Sequence, residues 1–294
     1  MPRSRSLVIE HTKATRSFEI RLEPAGRRQR SSEEAEDTGK AGKDGRRSLS
    51  PDRTNVPSGE WGGRRAGREA WEMRVALFDV DGTLIRGQSY AHLLRWLWRR
   101  GWRRPRVLGV VCAGLPSQLG RKLGLVDRLH NQERWARGMA WLLRDAPVAE
   151  VEDLLGLFCR ELAAALRPGV REEMRARRAE GYRIILASTG ISPVIGCLAQ
   201  ALEARGHAAT PLEVQGGRFT GRLAGPVCNA VRKLRYVEEL AEAWGEPIDW
   251  AASFAYSDGV PDLPMLERVG HPVAVDPDSR LLRIAGERNW RVIT

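Results

Sequence analysis

Residues 75–85 read VALFDVDGTLI: an apolar run that closes on two aspartates one residue apart, with Gly-Thr behind them. The run has the length and bounds of a buried strand, which we place at 74–79. Two carboxylates at the end of such a strand repel each other and are costly to desolvate. Something elsewhere in the chain must compensate them.

From residue 168 onward, helices and strands alternate. The pattern predicts a helix at 171–180, a strand at 182–188, and a helix capped by Ser192 and stopped at Gly206. A hairpin over 212–225 turns at Gly216-Gly217. A helix at 231–245, a strand at 252–257, a short helix at 261–270, a strand at 272–276 and a helix at 278–289 complete the series. This alternation implies an α/β fold: a doubly wound, mostly parallel, Rossmann-like sheet with helices on both faces. Residues 89–167 read as helices only, and Arg-Pro-Gly-Val at 167–170 breaks that run.

Parallel strands finish at one edge, where ligands of such sheets sit. Asp79, Ser188, Ser257 and Asp258 all fall at strand ends. Asp262 follows Asp258 by about one helical turn, and Lys233 lies near the start of a helix. Clustered carboxylates need a cation, and hard oxygen ligands select Mg²⁺. Such an ion neutralises the acids and makes room for a phosphate, whose other oxygens Lys233 and the Ser188 hydroxyl would bind. One aspartate then attacks phosphorus to form an aspartyl-phosphate, while a second acid protonates the leaving oxygen and later activates water. Asp79 and Asp81 are placed for those two tasks. Gly82 permits a tight turn, and the Thr83 hydroxyl can fix it. An EF-hand is excluded because the glycine comes too early in the loop.

These residues resemble the motifs of the haloacid dehalogenase-like hydrolase superfamily, in its phosphoserine phosphatase-like branch. The matching stretches are VALFDVDGTLI, IILAS, Lys233 in CNAVRKLRYV, and YSDGVPDLPML. The resemblance implies that Asp79 is the nucleophile and Asp81 the acid/base. It implies Mg²⁺ held by Asp79, the Asp81 backbone carbonyl and Asp258, with Asp262 in support. It also implies domains: a catalytic core from 73–88 and 168–294, and an inserted helical cap at 89–167. Phosphoserine phosphatases carry a glutamate nine residues after the nucleophile, where this chain has Gln88. Free phosphoserine is therefore not the expected preferred substrate.

The formal net charge of +11 favours an anionic partner, and a small phosphorylated substrate meets that need. From Arg86 to Arg128 there are ten Lys or Arg against one acid, Asp127, with Trp96, Trp98 and Trp102 among them. Two readings fit this stretch. It is an ordinary cap with packed tryptophans and solvated arginines, or an interfacial surface on an anionic membrane, which would suit a lipid phosphate. Trp135, Trp141, Trp244, Trp250 and Trp290 are expected in the core. Residues 1–72 are sparse in apolar side chains and are expected to be a disordered basic tail, with Met73 a sensible start. Four scattered cysteines indicate reduced thiols in a cytoplasmic protein, and Cys228 reads as structural. No secretory signal is visible. Two competing functions stay open: phosphoryl transfer to an acceptor other than water, and a basic lipid- or nucleic-acid-binding protein with a vestigial site. No specific nucleic acid partner is implied, and the oligomeric state is not legible.

Overall fold

The computed structural model describes residues 7–11, 18–22, 72–122 and 128–294. Strands β1 (Leu7–His11) and β2 (Phe18–Leu22) pair in a two-stranded sheet. The rest of the tail expected to be disordered lies outside the described residues.

A six-stranded sheet organises the remainder. It contains β3 (Val75–Phe78), β4 (Arg183–Ile191), β5 (Gly206–Thr210), β8 (Phe254–Ser257), β9 (His271–Val275) and β10 (Arg291–Ile293). The spatial order is β10-β9-β8-β3-β4-β5, and every neighbouring pair is parallel. The chain first winds outward from β3 through β4 to β5. It then returns to the other side of β3 and winds through β8 to β10. The reversal falls between β3 and β8, the crevice where sheets of this type bind ligands.

Side-chain alternation along the strands separates two apolar layers. Val75 and Leu77 of β3 pack with α7 (Val231–Trp244), α8 (Leu263–Arg268) and α9 (Ser279–Glu287) through Val237, Met265 and Leu281. Ala76 and Phe78 face the opposite way, towards α5 (Pro168–Ala179) and α6 (Ser192–Ala201) through Met174, Ile195 and Leu198. The sheet is thus covered on both sides, as the alternation of elements requires. On the Phe78 face, Phe78 stacks on Tyr256 with ring centroids 4.2 Å apart.

Between β3 and α5 the chain inserts four helices: α1 (Ser89–Arg99), α2 (Arg104–Lys122), α3 (Arg128–Leu143) and α4 (Val148–Ala164). Their apolar faces, including Leu93, Trp96, Val110, Trp135, Met139 and Phe158, join the same core as the α5–α6 layer. Strands β6 (Leu212–Gln215) and β7 (Arg218–Leu223) form an antiparallel hairpin. Its turn residues Gly216 and Gly217 both have positive φ, +57° and +72°, the conformation that favours a two-residue hairpin loop built from glycine. The α3–α4 connection adds to this hairpin: Asp145 N–H donates to the Phe219 carbonyl and Phe219 N–H to the Ala146 carbonyl.

Several local expectations need correction. Gly206, which the pattern marks as a helix stop, begins strand β5, and β10 has no counterpart in the predicted elements. Ser192 does not cap α6 with its side chain; its hydroxyl lies 2.8 Å from His207 Nε2 instead. Trp141 is 41% exposed and is not a core residue. Among the described residues, no helix is long and apolar enough to cross a membrane.

Candidate active site

The parallel registers bring the predicted residues to one edge. Phe78 pairs with Leu186 and with Tyr256. Asp79 therefore stands one residue past the pairing, Ser188 two past it on one side, and Asp258 two past it on the other. Strand β4 runs on to Ile191 instead of ending at Ser188. Its register with β5 shifts between Ala187 and Ile191, so Ser188 sits where the ladder is interrupted. There its Oγ accepts from Gly190 N–H at 3.0 Å.

Lys233 is the cation of the cluster. Its side chain is only 2% exposed, whereas an ordinary helix lysine is solvated. Nζ donates to Asp79 Oδ1 at 2.5 Å and to Asp262 Oδ2 at 2.8 Å. Asp262 is itself held by Ser257 Oγ at 2.8 Å. Thr83 Oγ1 donates to Asp79 Oδ2 at 3.1 Å and also reaches Asp258 Oδ1 at 3.4 Å. Asp81 Oδ1 accepts the Ser89 N–H at the start of α1, at 2.5 Å.

Gly82 explains how Asp258 comes so near the turn. Its φ is +95°, and a Cβ there would lie 2.1 Å from Asp258 Oδ2. Only a residue without a side chain lets that carboxylate rest against the backbone of the turn. A family model described as haloacid dehalogenase-like hydrolase matches residues 76–267, the segment that contains all these groups. The chain belongs to the haloacid dehalogenase-like hydrolase family.

As such a hydrolase, it is a phosphatase similar to phosphoserine phosphatases. Phosphoserine phosphatase SerB1 of Mycobacterium tuberculosis is 32% identical over 223 residues, covering 74% of this chain and 70% of that protein. A crystal structure of a protein of unknown function from Bordetella pertussis Tohama I superposes with a TM-score of 0.64 at 28% identity, covering 76% of this chain and 99% of that one. A HAD family hydrolase from Salmonella enterica serovar Typhi has a TM-score of 0.54 at 20% identity, covering 76% and 68%, and shares the fold.

The electrostatics of this hydrolase site are unbalanced towards negative charge. Burial pushes the Asp79 carboxyl up to about 8; Lys233 pulls it down, and Asp262 and Asp258 push it up further. Burial opposes the Lys233 ammonium, but Asp262 and Asp79 outweigh that and hold it above its ordinary range. Burial also raises Asp81, against the opposing pull of the Ser89 hydrogen bonds. One ammonium thus touches two of three neighbouring carboxylates, and the third, Asp258, lies against Gly82.

A divalent cation fits this donor set. Among the described residues, no three His, Cys, Asp or Glu side chains form a metal cluster. Mg²⁺ does not need one: it is usually held by one or two carboxylates, with substrate phosphate and water completing the shell. Asp79 and Asp258, both within reach of Thr83 Oγ1, are the carboxylates that would serve it. Cys228 is buried and its thiol is pushed up to about 12, chiefly by burial, which suits a structural role.

Beside the cluster lies a cavity of about 180 Å³ with Asp81 in its wall. Tyr90, Gln118, Asn131 and Trp135 of the inserted helices line it, together with Thr189 and Gly190 near the end of β4. Sequence reasoning did not single out these helical residues for the site. Each is unremarkable in its local pattern, and only the packing of the insertion onto the sheet edge brings them to Asp81.

Proposed function

We propose that this chain is a Mg²⁺-dependent phosphatase that hydrolyses a small phosphate monoester through an aspartyl-phosphate. The observation that carries the reading is the convergence of Asp79, Asp258 and Lys233 at one parallel strand edge, next to a cavity that Asp81 lines. Asp79, the Asp81 backbone carbonyl and Asp258 would hold the ion. When bound, it neutralises these acids and the phosphate and polarises the phosphoryl group.

The chain's own residues perform the remaining steps. An Asp79 oxygen forms a bond to phosphorus as the ester P–O bond breaks. Asp81, whose burial favours its protonated form, gives that proton to the departing oxygen. Asp81 then takes a proton from water. The water oxygen bonds to phosphorus, the acyl-phosphate P–O bond breaks, and inorganic phosphate leaves with Asp79 restored as carboxylate. Lys233 and the Ser188 hydroxyl hold phosphate oxygens. Thr83 orients Asp79, and Asp262 with Ser257 positions Lys233. Residues 73–88 and 168–294 act as the catalytic core, and 89–167 as the cap that excludes water.

The test is phosphate release from p-nitrophenyl phosphate and a phosphomonoester panel, in Mg²⁺ and in EDTA. Asp79→Asn is expected to reduce turnover by roughly a thousandfold or more while the far-UV spectrum and melting curve are retained. Undiminished activity in the variant or in EDTA would refute the reading.

A second reading, peripheral contact with an anionic membrane, is supported by the surface of the insertion. Trp98 is 45% exposed and lies beneath Arg104, and Trp141 lies beneath Arg106. Leu108 and Leu115 are exposed on α2. Co-sedimentation with phosphatidylserine vesicles, lost in high salt and weakened in Trp98→Ser, is the expected result. Equal recovery with neutral vesicles would count against it.

A further inference from the structure

The cysteines are scattered along the chain, but the fold brings two of them together across the junction of the insertion and the sheet. Cys159 lies on α4, the last of the four inserted helices, and Cys197 on α6, the helix after β4. Val151, Leu155, Cys159 and Leu162 form the buried face of α4, at helical spacing. That face packs with Val194, Ile195 and Leu198 of α6 in one apolar layer, against which Cys197 also rests. Cys159 Sγ is 3.6 Å from the Val194 carbonyl oxygen, and Val194 sits one turn before Cys197 on the same side of α6. The two thiols are in hydrogen-bonding contact with each other.

The two sulfurs differ in setting. Cys159 is fully buried, whereas Cys197 is partly exposed. The hydrogen bond between them is the largest influence on both: it holds the Cys159 thiol above its ordinary range and the Cys197 thiol below its own. Burial opposes the Cys197 thiolate, Arg160 favours it and Glu152 opposes it. Cys197 is thus the sulfur that loses its proton, and Cys159 the one that keeps it.

We propose that Cys159 and Cys197 are a redox-responsive pair, which a hydroperoxide closes to a disulfide that fastens the insertion to the sheet and slows turnover. The effect on turnover rests on the phosphatase reading above. In the first step the Cys197 thiolate bonds to one peroxide oxygen and the O–O bond breaks. Cys197 becomes a sulfenic acid, and the other oxygen leaves with a solvent proton. In the second step the Cys159 sulfur bonds to the Cys197 sulfur and the S–O bond breaks. The Cys159 proton and the departing hydroxide form water. The peroxide gains the two electrons that the thiols lose. The sulfurs close from hydrogen-bonding contact to a bond of about 2.05 Å, a movement on the scale of side-chain rotation. Val194, beside the bridge, also lines the cavity next to Asp81, together with Tyr90 and Trp135 of the insertion. Substrate enters and alcohol leaves between these walls, and a covalent tie between α4 and α6 restrains them from parting.

The test treats the full chain with stoichiometric hydrogen peroxide and maps its unreduced peptides by mass spectrometry. We expect a linked peptide pair joining Cys159 to Cys197, and kcat for p-nitrophenyl phosphate in Mg²⁺ reduced by about threefold or more, both reversed by dithiothreitol. Cys159→Ala removes the resolving thiol, so a dimedone-reactive sulfenic acid is expected to accumulate at Cys197 while turnover survives peroxide. In Cys197→Ala, the buried Cys159 is expected to stay unmodified. Peroxide that leaves the pair reduced, or that oxidises only the exposed Cys112, overturns the proposal. So does a linked protein that turns over as fast as the reduced one. A reduced chain without any turnover would refute the phosphatase reading instead, and the linked peptides and the dimedone adduct would still decide whether the pair reacts.

Discussion

At the scale of single residues, the site depends on close contacts that leave no slack. Gly82 is the clearest case. Gly82→Ala would place a methyl group 2.1 Å from Asp258 Oδ2, at a φ of +95° that costs an L-residue roughly 1–2 kcal/mol. Asp258 must then move. We expect turnover to fall by about a hundredfold with weaker Mg²⁺ dependence, while urea unfolding shows only the modest loss above. His207 offers a prediction about acid stability. Burial pushes its imidazole down to about 4, well under the ordinary 6.5. Between those values the unfolded chain binds the proton and the folded chain does not. The contribution of this imidazole to stability is therefore full above pH 6.5 and is lost as the pH drops towards 4, by at most about 3 kcal/mol. Urea unfolding of wild type and His207→Gln at pH 4.5 and 7.5 should show it as a difference in slope between the two proteins, the variant losing less stability at the lower pH.

Elements position these residues, and their ends matter more than their middles. Strands β3 and β8 stop at the edge, β4 loses its register with β5 beside them at Ser188, and α7 and the turn before α8 carry Lys233 and Asp262 inward. Helix α9 shows how such an end is secured: Asp278 Oδ1 accepts from Arg280 N–H at 3.1 Å and from Leu281 N–H at 2.8 Å. The Asp278 backbone N–H also donates to the Asp258 carbonyl at 3.0 Å, a contact that any side chain at 278 would keep. Asp278→Ala is thus expected to cost about 1 kcal/mol of stability with an unchanged Mg²⁺ requirement, read from a melting curve and a metal titration. Most of these elements were legible from periodicity and punctuation, including the hairpin at Gly216-Gly217. Strand β5 was not. Its sequence, Gly-His-Ala-Ala-Thr, has no β-branched run, and pairing with β4 makes it a strand. Ser192 was misread because His207, distant in sequence, competes for its hydroxyl.

Across the whole molecule, the acidic cluster couples folding to protonation and, on the reading proposed above, to metal. Without the ion, Asp79 binds its proton more tightly when folded, up to about 8, than in the unfolded chain near 3.8. The folded state therefore holds the extra proton between those values, and metal-free stability declines as the pH rises through the window. A divalent ion held as proposed above would reverse this by binding the ionised carboxylates of the folded state alone. The rise in melting temperature on adding Mg²⁺ should be larger at pH 8 than at pH 6. Calorimetry in buffers of different ionisation enthalpy should detect proton release at the lower pH. A Mg²⁺-induced shift that is independent of pH would contradict the placement of Asp79 at the ion.

The linear chain by itself determined the α/β class and the identity of the chemical groups. Apolar runs of strand length, alternating with amphipathic helices, demand a covered parallel sheet, and residues at strand ends must then share an edge. It also marked Asp79, Asp81, Ser188, Lys233, Asp258 and Asp262 as the groups to watch. Tertiary structure alone decided that Lys233 is buried between Asp79 and Asp262, that Gly82 admits the Asp258 carboxylate, and that Trp135 and Asn131 meet Asp81 in one cavity. The physical reason is range. Periodicity and turn chemistry act over a few residues, whereas burial, charge pairing and cavity shape arise between segments as far apart as the 154 residues that separate Asp79 from Lys233.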